Sequence, residues 1–341
     1  MKVLLYSEGM SKIGKSGLGR AIRHQQKALE LAGIEYSMDL EDEDFDVFHV
    51  NTYFLKSQHM AKKFRKMGKA IVYHAHSTEE DFKNSFLLSN QISPIFKKWL
   101  IYCYRMGDVL ITPTAYSKSI LDGYGIEREI YAISNGIEIE RFKPIPEARQ
   151  KFCRRFNFQP DQKIVMGIGL YLKRKGILDF VELAKRMPDI QFIWFGYTDL
   201  AICTSEVRDA VKTESPNLHF AGYVKNDEII LALQGADLYL FPTHEETEGI
   251  PAIEACAARA DFIVRDIPVF DDWLEDGVNT YKARDIDEFE EKIRLFFSGR
   301  LPSLTQAAFE VAKNRDLAYI GGELRKVYER AMEVRDQRIA E

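Results

Sequence analysis

The stretch Pro242-Thr-His-Glu-Glu-Thr-Glu-Gly-Ile-Pro-Ala-Ile-Glu254 decides the fold, because it joins a predicted buried strand to a predicted helix. The apolar run 236–241 before it is typical of a parallel strand, and the spacing of Ile253 and Ala257 after it predicts a helix. In open α/β sheets ligands bind at the carboxyl ends of strands, and the N–H groups that open a helix attract phosphate. We therefore expect a ligand site in this turn.

The same stretch carries side chains that suit such a site. Gly249 allows the backbone to approach a ligand closely, and Pro251 suits a first helical turn. Glu246 and Glu254 can accept hydrogen bonds from sugar hydroxyls. Two acids at this spacing do not by themselves distinguish a sugar site from a solvated loop.

Length and element order predict two α/β domains. A chain of 341 residues fits two domains of about 150 to 180 residues. We place them at 1–145 and 146–341, with a helix at about 317–335 packing back across the boundary, and expect two doubly wound parallel sheets facing a ligand-binding cleft. The predicted strands are 2–6, 47–50, 70–73, 109–112, 130–133, 164–168, 191–195, 218–220, 238–241 and 262–264.

Composition narrows the functional class. Hydrophobic content of 46% and charged content of 29% are typical of a globular protein. No apolar run approaches the ~20 residues of a spanning helix, and the run 1–6 is too short for a signal peptide, so we expect a cytoplasmic protein. The four cysteines lack metal-ligand spacing, so neither disulfides nor zinc are expected.

The net charge of −5 conceals a basic region. Residues 56–118 hold 11 Lys and Arg but four Asp and Glu, a bias that attracts anionic lipid headgroups. A helix over 94–105 mixes aromatic and basic residues; it suits either a membrane surface or a protein core. No nucleic-acid motif is present, and the overall acidity argues against that partner. The candidate membrane-contacting residues are Lys62, Lys63, Lys66, Lys97, Lys98 and Trp99.

The segment Gly9–Ser16 matches the P-loop pattern of nucleotide hydrolases. We reject this interpretation because Gly17 and Gly19 follow, and each glycine costs ~1 kcal/mol inside a helix. We expect instead an amide-rich loop over 14–19 ahead of a helix over 20–32. A P-loop hydrolase remains a remote alternative.

Two further clusters are candidates for substrate contact. Lys173, Arg174 and Lys175 follow a predicted strand, and cations there would stabilise a departing diphosphate without a metal, with Lys175 as the foremost contact. His74 and His76 follow another strand and project to one side of it. Either imidazole could orient a substrate hydroxyl, and a structural role stays open.

In combination these features resemble the family 4 retaining glycosyltransferases of the GT-B fold, which have two Rossmann-like domains. The resemblance covers nearly the whole chain: the glycine-rich N-terminal loop, the His76 region, Ser134–Pro144, Lys175-Gly176 and the Glu246/Glu254 pair. Within the family, segments such as 265–270 look most like Gram-positive bacterial synthases that glycosylate diacylglycerol or glucosyl-diacylglycerol.

The resemblance implies roles for individual residues. Glu254 would bind the ribose, Glu246 the hydroxyls of the donor sugar, and His76 would lie beside the transferred sugar. The family usually has an arginine where this chain has Leu170, so Lys173 or Arg174 would have to replace it. Contacts to the phosphates and the sugar are implied for Gly17, Lys175, Gly249 and Ile250.

The expected activity is transfer of a hexose, with glucose favoured over galactose, from a UDP-sugar to diacylglycerol or glucosyl-diacylglycerol, with retention of configuration and without a metal or other cofactor. His76, Lys175 and Glu246 are the expected catalytic residues. The protein would associate peripherally with the inner face of the cell membrane. A non-lipid acceptor, such as a cell-wall or polysaccharide sugar, and a noncatalytic binding module are the alternatives, and the oligomeric state stays open.

Overall fold

The computed structural model describes residues 1–9 and 17–341. The described chain forms two compact units, each containing a parallel sheet covered by helices. The first unit comprises Met1–Phe82, Gln91–Glu138 and Arg315–Glu341, and the second comprises Lys83–Asn90 and Ile139–Asn314.

This division differs from the expected boundary after residue 145. The second unit begins at Ile139, and the short segment Lys83–Asn90 also belongs to it. The C-terminal helix belongs entirely to the first unit. The expected boundary was set where the helical and strand patterns of the sequence are interrupted. Such an interruption marks the end of regular structure, whereas the division between units lies where the chain begins to pack against the other sheet, a few residues earlier.

The first unit is built on a six-stranded parallel sheet with the strand order β2-β1-β3-β4-β5-β6. Its strands are β1 (Lys2–Tyr6), β2 (Glu35–Ser37), β3 (Val47–Val50), β4 (Ala70–His74), β5 (Val109–Thr112) and β6 (Glu129–Ala132). Its helices are α1 (Gly17–Leu31), α2 (Leu55–Lys66), α3 (Glu79–Phe82), α4 (Ser89–Tyr104, whose first two residues belong to the second unit), α5 (Ala115–Asp122) and α13 (Leu317–Ala340).

The second unit contains a six-stranded parallel sheet with the order β12-β11-β10-β7-β8-β9. Its strands are β7 (Ile164–Ile168), β8 (Gln191–Phe195), β9 (Leu218–Gly222), β10 (Leu238–Phe241), β11 (Phe262–Arg265) and β12 (Tyr281–Ala283). Its helices are α6 (Ala148–Phe156), α7 (Ile177–Arg186), α8 (Ser205–Val211), α9 (Asn226–Gly235), α10 (Ile250–Ala258), α11 (Ile286–Phe297) and α12 (Thr305–Lys313).

Burial on both faces explains why the inner strands are continuous apolar runs. In β3, Val47 contributes to the core beneath α1 and α13, whereas Phe48 contributes to the opposite core with α2 and α4. Successive side chains of a strand point to opposite faces, so His49 faces the same side as Val47. A polar ring is thereby buried under the C-terminal helix.

The strand orders place a topological switch point in each sheet. In the first sheet, connections run in opposite directions from β1 toward β2 and β3. In the second sheet, the switch lies between β7 and β10. At a switch point the loops that follow two neighbouring strands diverge, which opens a crevice at the carboxyl edge where ligands bind.

The GT-B class of fold predicted from the sequence is confirmed, and most strand positions agree within two residues. The short edge strands β2 and β12, each of three residues, were not predicted. The expectation that α1 begins at residue 20 is wrong: it begins at Gly17 and contains Gly19, which is buried. The low helix propensity of the two glycines therefore does not exclude a helix here. Apart from Gly9, the P-loop pattern Gly9–Ser16 lies outside the described residues.

The C-terminal helix is attached to the first sheet by a buried carboxylate, which gives a test of the fold. Asp108 accepts hydrogen bonds from Arg65 (2.8 Å), from Arg338 of α13 (3.0 Å) and from the backbone N–H of Ile71 (2.8 Å). Asp108→Ala should lower the free energy of unfolding by about 2 to 3 kcal/mol, because these donors lose their acceptor.

Urea denaturation of the purified variant measures this loss. Asp336→Ala is the control, since that exposed carboxylate pairs with Arg335 at the surface and should contribute no more than about 0.5 kcal/mol. Equal effects of the two substitutions would show that Asp108 does not attach α13.

Candidate functional site

The switch point of the second sheet brings the segments after β7 and β10 together. After β7 the chain forms a single 3-10 turn, Lys173–Lys175, which ends at Gly176. Gly176 has φ +76°, and a Cβ there would lie 2.2 Å from the carbonyl oxygen of Pro242, at the end of β10. Only glycine fits this close approach, so Gly176 sets the distance between the two segments.

Lys175 and Glu246 form an ion pair at this point. Lys175 Nζ lies 2.5 Å from Glu246 Oε1, and the hydroxyl of Thr243 donates to the same oxygen at 2.9 Å. Both charged side chains are largely buried. The prediction from sequence named both residues, and the structure shows that they contact each other directly.

The surroundings keep Glu246 ionised. Burial alone would raise its pKa, but the charges of Lys175 and Arg174 and the hydrogen bonds from Lys175 and Thr243 outweigh burial and lower the pKa below its usual value. The carboxylate is therefore a hydrogen-bond acceptor at neutral pH, as binding of sugar hydroxyls requires.

Of the other two predicted cations, Arg174 lies beside this pair and Lys173 lies apart from it. Lys173 Nζ lies 2.9 Å from Glu206 at the surface. The guanidinium of Arg174 is buried, donating to Ser85 Oγ (3.1 Å) and to the carbonyl of Glu245 (2.9 Å), and lies 3.8 Å from Glu246. Residues of a tight turn point in different directions, so only two of the three consecutive cations lie near the same carboxylate.

The acids Glu246 and Glu254 lie on either side of the start of α10, as predicted. Gly249 precedes the helix with φ +88°, and Ile250 and Pro251 form its first turn. Glu254 lies one turn further and is only 1% exposed. Backbone N–H groups, a helix start and two buried carboxylates thus surround one turn, an arrangement suited to a phosphorylated sugar.

Arg265 holds this turn in place, and its role was not predicted. It ends β11, is buried, and donates to the carbonyls of Pro242 (3.1 Å) and Arg284 (2.9 Å) and to the carboxylate of Asp179. Asp179 also lies 3.0 Å from His244. A charged residue directly after the apolar run 262–264 was the available signal in the sequence.

The predicted histidines of the first unit belong to a row of three, of which His49 and His74 are buried and His76 is partly exposed. His74 stacks on His76 with ring centroids 3.9 Å apart, and His49 Nε2 lies 3.2 Å from His74 Nδ1. Desolvation lowers the pKa of His49 and of His76 to about 3, and it lowers that of His74 well below the usual value. His49 was not predicted, because it lies inside a strand that was identified by its apolar neighbours.

The predicted membrane-contacting residues differ in their surroundings. Lys62, Lys66 and Lys98 are exposed, and Lys62 Nζ lies 5.1 Å from the ring centre of Tyr102. Trp99 is partly buried; it stacks on Tyr102 and donates to the carbonyl of Tyr53 (2.8 Å). Lys63 pairs with Glu43 (3.2 Å) and Lys97 with Glu79 (3.5 Å), so part of the predicted basic surface is occupied by carboxylates.

Comparisons with known proteins identify the family of the chain. Family models match residues 25–141 (Glycosyltransferase Family 4) and 148–315 (Glycosyl transferases group 1). The chain is 38% identical to the processive diacylglycerol alpha-glucosyltransferase of Acholeplasma laidlawii, covering 98% of this chain and 100% of that protein. It belongs to the family 4 glycosyltransferases.

More distant relatives of this glycosyltransferase fit the same family. The alpha-galactosylglucosyldiacylglycerol synthase of Streptococcus pneumoniae is 25% identical, over 90% of this chain and 83% of that one. The fold matches HepE of Anabaena, solved with UDP and glucose, with TM-score 0.76, 15% identity and coverage of 96% and 99%. It also matches sucrose-phosphate synthase of Thermosynechococcus elongatus, with TM-score 0.78, 15% identity and coverage of 97% and 98%. The predicted family resemblance and the GT-B fold are confirmed.

Two expectations for the glycosyltransferase concern single positions. Leu170, which replaces the usual arginine, is exposed just after β7; Lys173 pairs with Glu206, and Arg174 donates to the carbonyl of Glu245. Gly17 is the first residue of α1 within the described ranges, and its contact to phosphate stays a prediction. Across the described ranges, no helix combines the length and apolarity needed to cross a membrane.

The attachment of the turn by Arg265 can be tested without a substrate. Arg265→Met should free the carbonyl of Pro242 and speed hydrogen exchange of the amides in 243–249 by about tenfold or more, because the segment loses its attachment to β11. Exchange read by mass spectrometry measures the change.

Arg284→Met is the matched control, because the exposed side chain of Arg284 pairs with Glu288 and does not contact the turn. Unchanged exchange in 243–249 after Arg265→Met would show that other contacts hold the segment.

Proposed function

We propose that this glycosyltransferase transfers a hexose, with glucose favoured, from a UDP-sugar to diacylglycerol or glucosyl-diacylglycerol. The observation that carries the proposal is the buried Lys175–Glu246 pair at the switch point of the second sheet. It stands in a chain related over its whole length to a diacylglycerol alpha-glucosyltransferase. HepE, which shares the fold, binds UDP and glucose, and this supports a UDP-sugar as the donor.

We assign the diphosphate to Lys175. Lys175 carries a positive charge whose position is fixed by Glu246, which accepts from its ammonium group at 2.5 Å, and phosphate oxygens accept hydrogen bonds from an ammonium group. Negative charge grows on the departing UDP as its bond to the sugar breaks, and a fixed cation stabilises that charge more in the transition state than before it. Stabilisation by Lys175 and by the amides at the start of α10 gives a mechanism that requires no metal.

The two acids bind the rest of the donor in this proposal. Glu246 is ionised and held in one orientation by Lys175 and Thr243, so it can accept from sugar hydroxyls. Glu254, buried one turn into α10, would accept from the ribose. Replacing either carboxylate should weaken binding of a UDP-sugar.

We propose that the reaction retains the α configuration. The bond between the anomeric carbon and UDP breaks while a bond from the acceptor oxygen forms on the same face, and the acceptor proton goes to the departing phosphate oxygen. The alpha-glucosyltransferase relative supports this outcome. His76 would hold a substrate hydroxyl. Same-face attack by the acceptor requires no nucleophile from the protein, so His76 would form no covalent intermediate.

Helix α4 supports a membrane-bound acceptor. Its surface exposes Ile92, Ile95 and Tyr102, which share one helical face, and Lys98 is exposed beside them. Apolar side chains flanked by lysines are typical of segments that lie in the headgroup region of an anionic bilayer. We propose that this surface binds the bilayer that supplies the lipid and associates the protein peripherally with the inner face of the membrane.

The role of Lys175 is tested by substitution. Lys175→Ala should lower kcat by at least about a hundredfold with UDP-glucose and diacylglycerol in mixed vesicles, because charge on the departing UDP loses its cation. UDP release measures the rate. Lys173→Ala is the control, because Lys173 pairs with Glu206 at the surface and should leave the rate within about twofold.

Product analysis completes this test. The anomeric proton of the glycolipid should show an α linkage by NMR. A near-normal rate for Lys175→Ala would remove this residue from the mechanism, and transfer only to a soluble sugar would replace the lipid acceptor by the non-lipid alternative.

The membrane surface is tested separately. Ile95 is 70% exposed on α4, and Ile95→Glu should abolish flotation with anionic vesicles, because a carboxylate replaces an inserting apolar group. Ile339→Glu, at a 58% exposed site on α13, is the matched control and should float as the parent does. Equal flotation of both variants would contradict the assignment of α4.

A further inference from the structure

We propose that Asn51 is a positioning residue which fixes His76 as a hydrogen-bond acceptor, and that a buried chain of side chains ending at Tyr328 on α13 fixes Asn51 in turn. The inference rests on the proposed function, in which His76 holds a substrate hydroxyl. It adds the direction of that hydrogen bond and the residues that set it.

The chain is continuous through the interior of the first unit. Tyr328 OH lies 2.8 Å from His49 Nδ1, and His49 Nε2 lies 3.2 Å from His74 Nδ1. Gln25 Nε2 of α1 lies 2.9 Å from the same nitrogen of His74 and donates to Asn51 Oδ1 at 2.8 Å. Helix α13, helix α1 and strands β3 and β4 thus meet in one hydrogen-bonded chain.

The link to His76 is made by Asn51. His76 Nε2 lies 2.7 Å from Asn51 Oδ1, the oxygen that already accepts from Gln25. Asn51 Nδ2 faces the carbonyl of Tyr6 at 3.5 Å, which orients the amide with its oxygen toward His76.

These contacts fix the tautomer of His76. An amide oxygen can only accept, so His76 Nε2 must carry the hydrogen. Desolvation lowers the pKa of His76 to about 3, so the ring is neutral at neutral pH, and Nδ1 keeps its lone pair. His76 is partly exposed, so a ligand can reach it. A hydroxyl group of a substrate would therefore donate to Nδ1.

The same reasoning orders the rest of the chain. Gln25 Nε2 is a donor, so His74 Nδ1 must accept, and the hydrogen of neutral His74 lies on Nε2. His74 Nδ1 has a single lone pair, which Gln25 Nε2 and His49 Nε2 share as donors, and Tyr328 donates to His49 Nδ1. Every bond in the chain has a defined donor and acceptor, and reversing one bond would leave two donors or two acceptors facing each other.

His74 provides a second observation that points to a ligand. Its Nε2 is buried and has no hydrogen-bond partner among residues 1–9 and 17–341. A buried N–H without an acceptor costs about 1 to 3 kcal/mol, which a chain serving stability alone would avoid. The ring that carries this donor stacks on His76 with 3.9 Å between the ring centroids.

Side-chain ¹⁵N NMR tests the tautomer without any assay of activity. In ¹⁵N-histidine-labelled protein, His76, assigned from the His76→Gln spectrum, should be neutral from pH 6 to pH 8 with its hydrogen on Nε2. In Asn51→Leu this preference should be lost and the Nδ1–H form should appear. A hydrogen on Nδ1 of His76 in the parent protein would overturn the inference.

Kinetics test the positioning role. Asn51→Leu should lower kcat/KM for the UDP-sugar by about tenfold or more, the effect of one lost substrate hydrogen bond. It should change Kd for UDP less than about twofold, because UDP lacks the transferred hexose. Tyr328→Phe, which preserves the ring packing, should give a smaller loss in the same direction. Tyr281→Phe is the control, since it removes a buried hydroxyl bond to Pro302 in the other unit and should not change kcat/KM.

The outcomes separate this inference from the proposed function. If the parent protein transfers no sugar from any UDP-sugar, the proposed function fails, while the NMR result still decides the tautomer. If the parent is active and Asn51→Leu keeps its kcat/KM in a folded protein, the positioning role is wrong. Parallel loss of UDP affinity and of sugar transfer would assign Asn51 a structural role and would also overturn the inference.

Discussion

A buried ion pair at the edge of a sheet is costly unless its surroundings are fixed, and the Lys175–Glu246 pair imposes this requirement on the second unit. Removing either charge leaves the other uncompensated in a water-poor position. The glycine at 176 sets the distance between the two loops, Thr243 gives the carboxylate a second donor, and Arg265 holds the strand end from which Glu246 is reached. These contacts fix the positions of the Lys175 ammonium group and the Glu246 carboxylate, so a charged ligand could bind there with little rearrangement.

The fold could be predicted largely from the sequence. Parallel strands buried on both faces are continuous apolar runs, and runs such as 164–168 and 238–241 were located to the residue. Edge strands such as β2 are short and partly exposed, so they lack that signal. Gly17 and Gly19 are both helical although glycine has a low helix propensity. Gly19 is buried within the first unit, so tertiary packing overrides the intrinsic propensity there.

The candidate site could be predicted residue by residue but not as a geometry. Lys175, Glu246 and Glu254 were identified by their place after strands, yet their contacts depend on side-chain directions that a sequence does not specify. Lys173 illustrates the difference: it pairs with Glu206 at the surface, whereas Arg174 and Lys175 both lie near Glu246. The buried row that includes His49 and Tyr328 gave no signal, because each lies within an apolar pattern typical of core.

We propose above all that the turn between β10 and α10 holds the pyrophosphate of a nucleotide beside Lys175. A crystal structure with UDP bound tests this most directly. We expect a β-phosphate oxygen within about 3 Å of Lys175 Nζ and the ribose hydroxyls at the carboxylate of Glu254. A nucleotide bound away from the carboxyl ends of β7 and β10 would contradict the account.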